Sequence, residues 1–508
     1  MQTHSSSAPG VKLTLADEEA TRRFAADVAN ILEPGDFIAL SGDLGAGKTT
    51  FVRAMIAYLA NDAAIEVPSP SFTLVQQYDL PRFPVLHADL YRLTGADELA
   101  ELGLDEIPGA VVVMEWPDRA GSVLPKDRID MTLALNPRHG IEHRTVLMAG
   151  RGAAAARVDR LVAMRGFLDA SGYGMAARTR IAGDASTRSY ERLSQGGKSL
   201  ILMNAPPKPD GPPVKRGLPY SVIAHLAEDA RPFVAVANGL RERGFSAPKI
   251  HAADLEAGFM MLEDLGTELV IAGAPPAPIP ERYERAVDML VALHRLDLPD
   301  VLPVAPQAEY RIPPYDVDAF LIEVELLPDW YLPFRSAPAT AEARETFLSL
   351  WRDALRPVLD APKTWVLRDF HSPNLLWLRD RSGIAQIGLL DFQDAVMGSA
   401  AYDVASLLQD ARVDVPEELE IALLGHYVQA RQAGEAGFDA NAFTQFYATL
   451  AAQRATKILG IFARLDRRDG KPQYLRHLPR IHAYVTRALR HPGLAALDKW
   501  YRAHVPPP

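Results

Sequence analysis

Leu367-Arg368-Asp369-Phe370-His371-Ser372-Pro373-Asn374, with Asp391 seventeen residues beyond Asn374 at the end of an apolar run, is the stretch that decides the fold of most of this chain. Leu375 to Leu378 reads as one strand, Arg379 to Gly383 as a polar turn with a glycine, and Ile384 to Leu390 as the returning strand of a hairpin. In an antiparallel pair the start of the first strand lies beside the end of the second. Asn374 and Asp391 are therefore expected to flank one small volume, with Asp369 held above it by a short loop. Two oxygen ligands for a divalent cation, with a carboxylate placed to take a proton, are what phosphoryl transfer needs. The alternative is a surface hairpin with ordinary turn carboxylates, which requires three residue types and a hairpin to coincide by chance.

Asp, four residues, Asn, then Asp at the end of a hairpin resembles the catalytic loop and metal-binding Asp of the protein-kinase-like superfamily, its aminoglycoside phosphotransferase-like branch above all. The resemblance implies that Asp369 is the base and that Asn374 and Asp391 hold magnesium. Leu367 stands where the family usually has His, and Gln393 where kinases have the Gly of Asp-Phe-Gly.

The length, 508 residues, suggests about three domain-sized units. Composition is that of a globular protein, 48% apolar and 23% charged, and zero cysteines exclude disulfides, thiol catalysis and Cys-type zinc sites. The 13 histidines show no ligand spacing. A polar start without an apolar h-region, and no run near the ~20 residues that span a bilayer, lead to the expectation of a cytoplasmic chain without membrane contact. The net charge of -10 argues against a freestanding nucleic-acid binder.

Towards the N-terminus, Ala16 to Leu32 carries Ala20, Phe24, Val28 and Ile31 at helical spacing and stops at Pro34-Gly35. Phe37 to Leu40 makes a buried strand, Gly42-Asp43-Leu44-Gly45-Ala46-Gly47-Lys48-Thr49 follows, and Thr50 to Leu59 continues as a helix. That is a P-loop between strand and helix: backbone N-H groups curl around phosphate, Lys48 reaches the outer phosphates and Thr49 ligates magnesium. Val85 to Asp89 and Ala110 to Glu115 are apolar runs that end in a carboxylate, as parallel strands deliver acids to a ligand edge. Glu115 is the expected second magnesium ligand, and Asp89 is placed to orient a water. The alternative for each is an acid that simply ends a strand in solvent, which the neighbouring P-loop disfavours.

Together with Ser69-Pro70-Ser71-Phe72-Thr73-Leu74-Val75, His87-Ala88-Asp89-Leu90-Tyr91-Arg92 and Glu115-Trp116-Pro117-Asp118-Arg119, this P-loop resembles TsaE, the small ATPase of bacterial tRNA threonylcarbamoyladenosine synthesis. The resemblance covers nearly all of residues 12 to 150. It implies that Lys48, Thr49 and Glu115 handle Mg-ATP, that Ser69 to Thr73 is a switch-like loop, and that Asp89 assists hydrolysis. The implied partner is a threonylcarbamoyltransferase complex, which itself contacts the tRNA. Ser71 stands where the family usually has Thr.

Ala149 to Ala156 has small residues and no apolar period and reads as a linker. The expected architecture is an α/β P-loop NTPase domain over residues 1-155, then an α+β two-lobed protein-kinase-like domain over 156-508, its lobes dividing near 265. Arg160 to Leu168 opens the second domain as a helix, and Gly183 to Tyr190 sits where a kinase covers the phosphates. Met203 replaces the phosphate-pairing Lys, and the helix around Phe233 to Arg243 offers only Glu242 as its answering acid. Arg188, Lys198 or Lys208 is expected to supply the missing charge. Phe259 to Gly266 reads as a strand into a hinge whose backbone, at Glu263 and Leu265, would meet adenine. Asp403 is expected to brace the catalytic loop. Aromatics in Arg311 to Asp316 and Glu325 to Tyr331 are either sugar-binding or core plugs. Arg454, Lys457, Arg464, Arg467, Arg468 and Lys471 form either a solvated face or an anion platform.

Met203 to Pro207, Ile312 to Asp316, Glu325 to Tyr331 and Gly460 to Pro472 resemble AmgK, the anomeric kinases of N-acetylmuramate and N-acetylglucosamine. That resemblance spans most of residues 158 to 500 and implies phosphorylation of an amino-sugar C1 hydroxyl by ATP, with Asp369 as base. Two alternatives stand beside it: a kinase of another small alcohol or amine, which would need an acidic pocket, and a nucleotide-binding pseudokinase, suggested by Met203.

Overall fold

The structure, a computed structural model, describes residues 10–93, 96–121, 123–181, 188–207, 211–305 and 307–508. The Gly183 to Thr187 part of the expected phosphate cover and Lys208 lie outside the described residues.

Unbroken apolar runs suit strands covered on both faces. β2 (Phe37–Ser41) therefore sits mid-sheet, parallel to β5 (Val111–Glu115) on one side and to β6 (Arg128–Leu135) on the other, with Ile38 opposite both Val113 and Ile129. β4 (Val85–Asp89) extends the parallel set beside β5. β3 (Val75–Tyr78), β7 (Arg144–Arg151) and β1 (Val11–Leu15) add antiparallel edges, giving the order β1-β7-β6-β2-β5-β4-β3. Helix α1 (Glu18–Ile31) is capped by Asp17, whose Oδ1 accepts from Ala20 N at 2.6 Å, and buries Phe24, Val28 and Ile31 as the spacing predicted. Helix α2 (Lys48–Ala60) packs beside it.

The expected linker is not one. Ala149 to Arg151 finish β7, and Ala154 already opens helix α3 (Ala154–Ala170). The two glycines of this stretch are packing devices: a Cβ on Gly150 would press on Ala154 and Ala155, and Gly152, at φ +57°, has Asp127 where a side chain would go. Small residues mark close approach here, not freedom. The first turns of α3 bury Val158 and Leu161 in the core of the seven-stranded sheet with Phe24 and Phe51. Its last turns bury Met164 and Leu168 with Leu193, Leu200, Leu202 and Phe259 of a second sheet. Each such side chain contributes about 1.5–3 kcal/mol by leaving water.

That second sheet has five strands in the order Ile250–Asp254, Phe259–Glu263, β10 (Lys198–Asn204), β9 (Ser189–Gln195), β8 (Ala177–Ile181). The chain accordingly divides into one compact unit of Met1–Ala205 with Ala252–Met261, and another of Pro206–His251 with Leu262–Pro508. The expected boundary near 155 falls inside the first.

Within that first unit a buried ionic cluster joins α1 and α2 to the second sheet. Arg178 on β8 grips both oxygens of Glu191, at 2.7 and 2.6 Å, and also pairs with Asp27 of α1. Arg165 of α3 reaches the other Asp27 oxygen at 2.5 Å, and the Tyr58 hydroxyl of α2 donates to Glu191 Oε2 at 2.8 Å. Two carboxylates face two guanidiniums, so the cluster is neutral, as charges out of water must be.

The second unit is mainly helical, built around Pro280–His294, Ala341–Leu359 and the long Ala440–Arg467. Two short antiparallel pairs carry its loops: Thr364–Val366 with Val396–Gly398, and the Leu375–Trp377 and Ile387–Leu389 hairpin. Among the described residues no helix is long and apolar enough to cross a membrane.

Removing one partner of a buried ion cluster strands the others. Arg178→Met is expected to lower stability by about 3–5 kcal/mol in chemical denaturation, whereas Arg22→Ala, which breaks exposed pairs with Glu18 and Glu19, should cost less than about 1 kcal/mol. A similar small loss in both would contradict the assignment.

Candidate active sites

In the first unit, β2 ends at Ser41 and the chain turns through Gly42, Gly45 and Gly47, all at positive φ, before α2 begins. A Cβ on Gly42 would collide with the Leu133 carbonyl, so only glycine lets the loop close here. Gly42 to Thr50 thus form one loop and helix start, as the sequence predicted. Lys48 Nζ donates to the carbonyls of Gly42 and Asp43 at 2.8 and 3.2 Å and lies 3.9 Å from the Trp116 ring centre. Burial pulls its ammonium below the usual range, against the upward pull of Glu115, Asp89 and Asp43. Thr49 Oγ1 donates to Glu115 Oε1 at 3.1 Å, and His87 Nε2 lies 3.0 Å from the same oxygen. Asp89 pairs in register with Glu115 at the strand ends, and the hydroxyls of Ser71 and Ser69 reach its Oδ2 at 3.0 and 3.4 Å. The expected switch segment therefore touches the expected water-orienting acid.

In the second unit, the hairpin places Asn374 and Asp391 together: Leu390 N donates to the Asn374 carbonyl at 3.0 Å, and Asn374 Nδ2 donates to the Asp369 carbonyl at 2.9 Å. The strands are shorter than expected because a 3-10 turn takes Gly383–Gln386. Gln393, in place of the kinase Gly, donates to Asp391 Oδ1 at 2.8 Å. Arg368 and Asp391 adopt φ of 71° and 58°, a region that costs a side chain roughly 1–3 kcal/mol and persists only where neighbours impose it. The imposition is visible. Asp403, fully buried, accepts from Leu367 N and Arg368 N at 2.6 and 2.9 Å, and Asp410 accepts from the amide and hydroxyl of Ser372 at 2.8 and 2.6 Å. Burial pushes the Asp403 carboxyl up to about 7 against those two amides.

Asp369 opens on a cavity of about 240 Å³ in which five cationic side chains face three carboxylates. Arg368 and Lys457 are answered within it by buried Glu323, at 2.5 and 3.2 Å, which also accepts from Tyr315 and Gln453. Arg454 and Arg464 line the space beside them, and Arg464 Nε is buried with no hydrogen-bond partner among the described residues. His371 lines the same space with its imidazole pulled down by burial. Of the six basic residues on the terminal helices, Arg454, Lys457 and Arg464 line the cavity. Arg468 instead pairs with Asp469, and Arg467 and Lys471 do not line it. Tyr315 and Tyr331 are buried core plugs, while Trp330 is half-buried.

Elsewhere the fit is partial. Ser189 pairs with Asn204 and Tyr190 with Met203, so Arg188 stands at the Met203 end of the β9-β10 hairpin. Lys198 opens β10 five residues from Met203, roughly 17 Å along an extended strand, and is corrected out of the phosphate role. The Glu263 side chain is taken by Arg241 and Arg381, at 3.2 and 2.6 Å, and its amide donates to the Lys249 carbonyl at 2.8 Å, leaving the Glu263 carbonyl and the backbone of Leu265 for a ligand. Among the described residues no group of three or more His, Asp or Glu could hold a metal. Thr49 with Glu115, and Asn374 with Asp391, are instead sparse oxygen sets of the kind that hold magnesium together with phosphate and water.

Sequence reasoning missed His87, Trp116, Glu323 and Asp410 as shaping residues. Only Glu323 left a signal, as an acid inside the apolar Phe320 to Val324 run.

Residues 15–145 match the family model of the threonylcarbamoyl adenosine biosynthesis protein TsaE, and residues 177–443 that of the phosphotransferase enzyme family. An N-acetylmuramate/N-acetylglucosamine kinase of Caulobacter vibrioides is 40% identical over 364 residues, 68% of this chain and 97% of the relative. Its counterpart in Pseudomonas aeruginosa is 36% identical over 62% of this chain and 85% of its own length. A tRNA threonylcarbamoyladenosine biosynthesis protein TsaE of Rickettsia bellii is 40% identical over 122 residues, 24% of this chain and 84% of the relative.

Glu323 sets a pH signature. Burial alone would raise its carboxyl, but Lys457 and Arg368 outweigh it and hold the value at about 2 against an ordinary 4.5. A depressed acid stabilises fully above its unfolded value and loses that contribution as pH falls towards the folded one, here on the order of 3 kcal/mol. Glu323→Gln should therefore be less stable than the parent at pH 7, with the gap closing between about pH 4.5 and 2. A gap independent of pH in thermal denaturation would refute this.

Proposed function

We propose, for a chain that belongs to the phosphotransferase enzyme family and, through its first domain, to the TsaE family, two ATP-dependent activities. The C-terminal part phosphorylates the C1 hydroxyl of N-acetylmuramate and N-acetylglucosamine. The N-terminal part hydrolyses ATP in support of tRNA threonylcarbamoyladenosine formation, docked on a threonylcarbamoyltransferase complex that itself holds the tRNA. Both activities belong to the cytoplasm, where ATP and tRNA are.

The observation that carries the sugar reading is the cation surplus around Asp369. A lactyl carboxylate suits Arg454 and Arg464, because charge-assisted hydrogen bonds in a water-poor cavity are the strong ones. The same surplus disfavours aminoglycoside- or choline-like amines, and the intact Asp369, Asn374 and Asp391 set disfavours a pseudokinase.

In the transfer step the sugar oxygen attacks the γ-phosphorus of ATP, its proton passes to Asp369, and ADP leaves. Asn374 and Asp391 here, and Thr49 and Glu115 in the first domain, would hold Mg2+, which when bound screens phosphate charge. Arg188 stands in for the missing lysine at Met203, and the backbone of Glu263 and Leu265 meets adenine. In the first domain Lys48 binds the outer phosphates and Asp89, set by Ser69 and Ser71, orients the water.

Asp369→Asn should lower kcat for sugar phosphorylation by about 10²–10⁴ with ATP binding retained in calorimetry; undiminished turnover would remove Asp369 as base. Arg464→Gln should raise KM for N-acetylmuramate about tenfold or more and leave that for N-acetylglucosamine within about twofold. Equal effects on both sugars would show that Arg464 does not read the carboxylate.

A further inference from the structure

Along helix Ala440–Arg467, the residues Arg454, Lys457, Ile461 and Arg464 stand at i, i+3, i+7 and i+10, on one helical face that lines the cavity beside Asp369. A face that met only water and anions would be polar throughout; this one sets a branched aliphatic side chain between cations. Ile458 and Phe462 flank it along the helix, and Leu226 lines the same space from a different segment of the chain. Ile458 and Phe462 are buried, and Ile461 is half-buried. The rotation of the helix is fixed. A Cβ on Gly460 would collide with the Leu326 carbonyl, so the two backbones touch there, and Phe462 packs on Tyr474 and His477 with ring centres 5.4 and 5.9 Å away.

The two ends of this face differ. Glu323 Oε1 accepts from Arg368 at 2.5 Å and from Lys457 at 3.2 Å, and Arg368 precedes Asp369 in the chain, so the Lys457 end is the end nearer Asp369. Burial pulls the Lys457 ammonium down, but Glu323, Tyr402 and Asp369 hold it above its usual range. Arg464 stands seven residues on, about 10 Å along the axis, with its guanidinium 5.4 Å from the Tyr220 ring centre. N-acetylmuramate carries its groups in the same order: carbon 1 bears the hydroxyl to be phosphorylated, carbon 2 the acetamido group, carbon 3 the lactyl carboxylate. With the first at Asp369 and the last at Arg464, as read above, the acetamido group falls between them, against Ile458 and Ile461.

We propose that Ile458 and Ile461 receive the acetamido methyl group, and so select N-acylated amino sugars over sugars with a free amine at carbon 2. The methyl group leaves water for aliphatic surface there. A protonated amine in its place would lose hydration against the same surface, with Lys457 on one side and Arg464 on the other.

The two isoleucines have this role only if the chain is the sugar kinase proposed above, and one experiment separates the two questions. For the full chain, kcat/KM is measured with N-acetylglucosamine and with N-formylglucosamine, which lacks only the methyl group. Phosphorylation of neither sugar removes the kinase reading and this pocket with it. The expected ratio is about tenfold or more in favour of the acetyl sugar, falling below about threefold in Ile461→Thr and in Ile458→Thr. Ile461→Phe, which fills the same space, should turn the preference towards the formyl sugar. Each ratio is taken within one preparation, so a variant that folds poorly lowers both rates and leaves their ratio as it was. A ratio near one in the parent overturns the proposal, and so does a parent ratio that persists in all three variants.

Discussion

One helix, Ala154–Ala170, belongs to two hydrophobic cores at once, and the arrangement of the first compact unit depends on it. Val158 and Leu161 cannot leave the P-loop core without dragging Met164 and Leu168 from the five-stranded sheet, since a helix transmits position along its axis. The buried cluster of Asp27, Arg165, Arg178 and Glu191 then fixes the register of the two sheets. Apolar burial supplies the adhesion, while the ion cluster supplies the geometry, because a displaced buried charge has no partner to fall back on. The consequence is that a domain boundary drawn by family and one drawn by packing disagree: the P-loop domain and the five-stranded sheet form one compact body.

The second unit uses buried acids differently. Asp403 and Asp410 hold backbone amides of the loop from Leu367 to Ser372 and do not line the cavity, whereas Asp369, Asn374 and Asp391 are half-exposed. Between the two kinds stands Glu323, which pairs with both Arg368 and Lys457 at the wall of a cavity that Arg454 and Arg464 also line. Strain at Arg368 is tolerable because that residue is fastened twice, by its amide to Asp403 and by its guanidinium to Glu323.

Much of this was legible in the sequence. The P-loop, the carboxylate-ended strands and the Asp369 to Asp391 hairpin are local patterns in which residue type, spacing and secondary structure must agree, and they placed Lys48, Thr49, Glu115, Asn374 and Asp391 where they stand. What misled was composition without context. Ala149 to Ala156 looks flexible because its residues are small, yet smallness here answers close packing against Asp127 and the next helical turn. Lys198 failed for the opposite reason: charge was weighed without strand register, which carries it to the far end of β10. Glu323 meets Arg368 and Lys457 at separations of 45 and 134 residues, Asp410 meets Ser372 at 38, and no periodicity reports contacts of that kind.

Native-state hydrogen exchange under rising sub-denaturing urea tests the two-core helix most directly, because it reads the opening free energy of each strand separately. The amides of β2 and of β9 are predicted to converge on a single opening free energy, as members of one cooperative body. Exchange of β9 at a distinctly lower free energy, with β2 still protected, would contradict it.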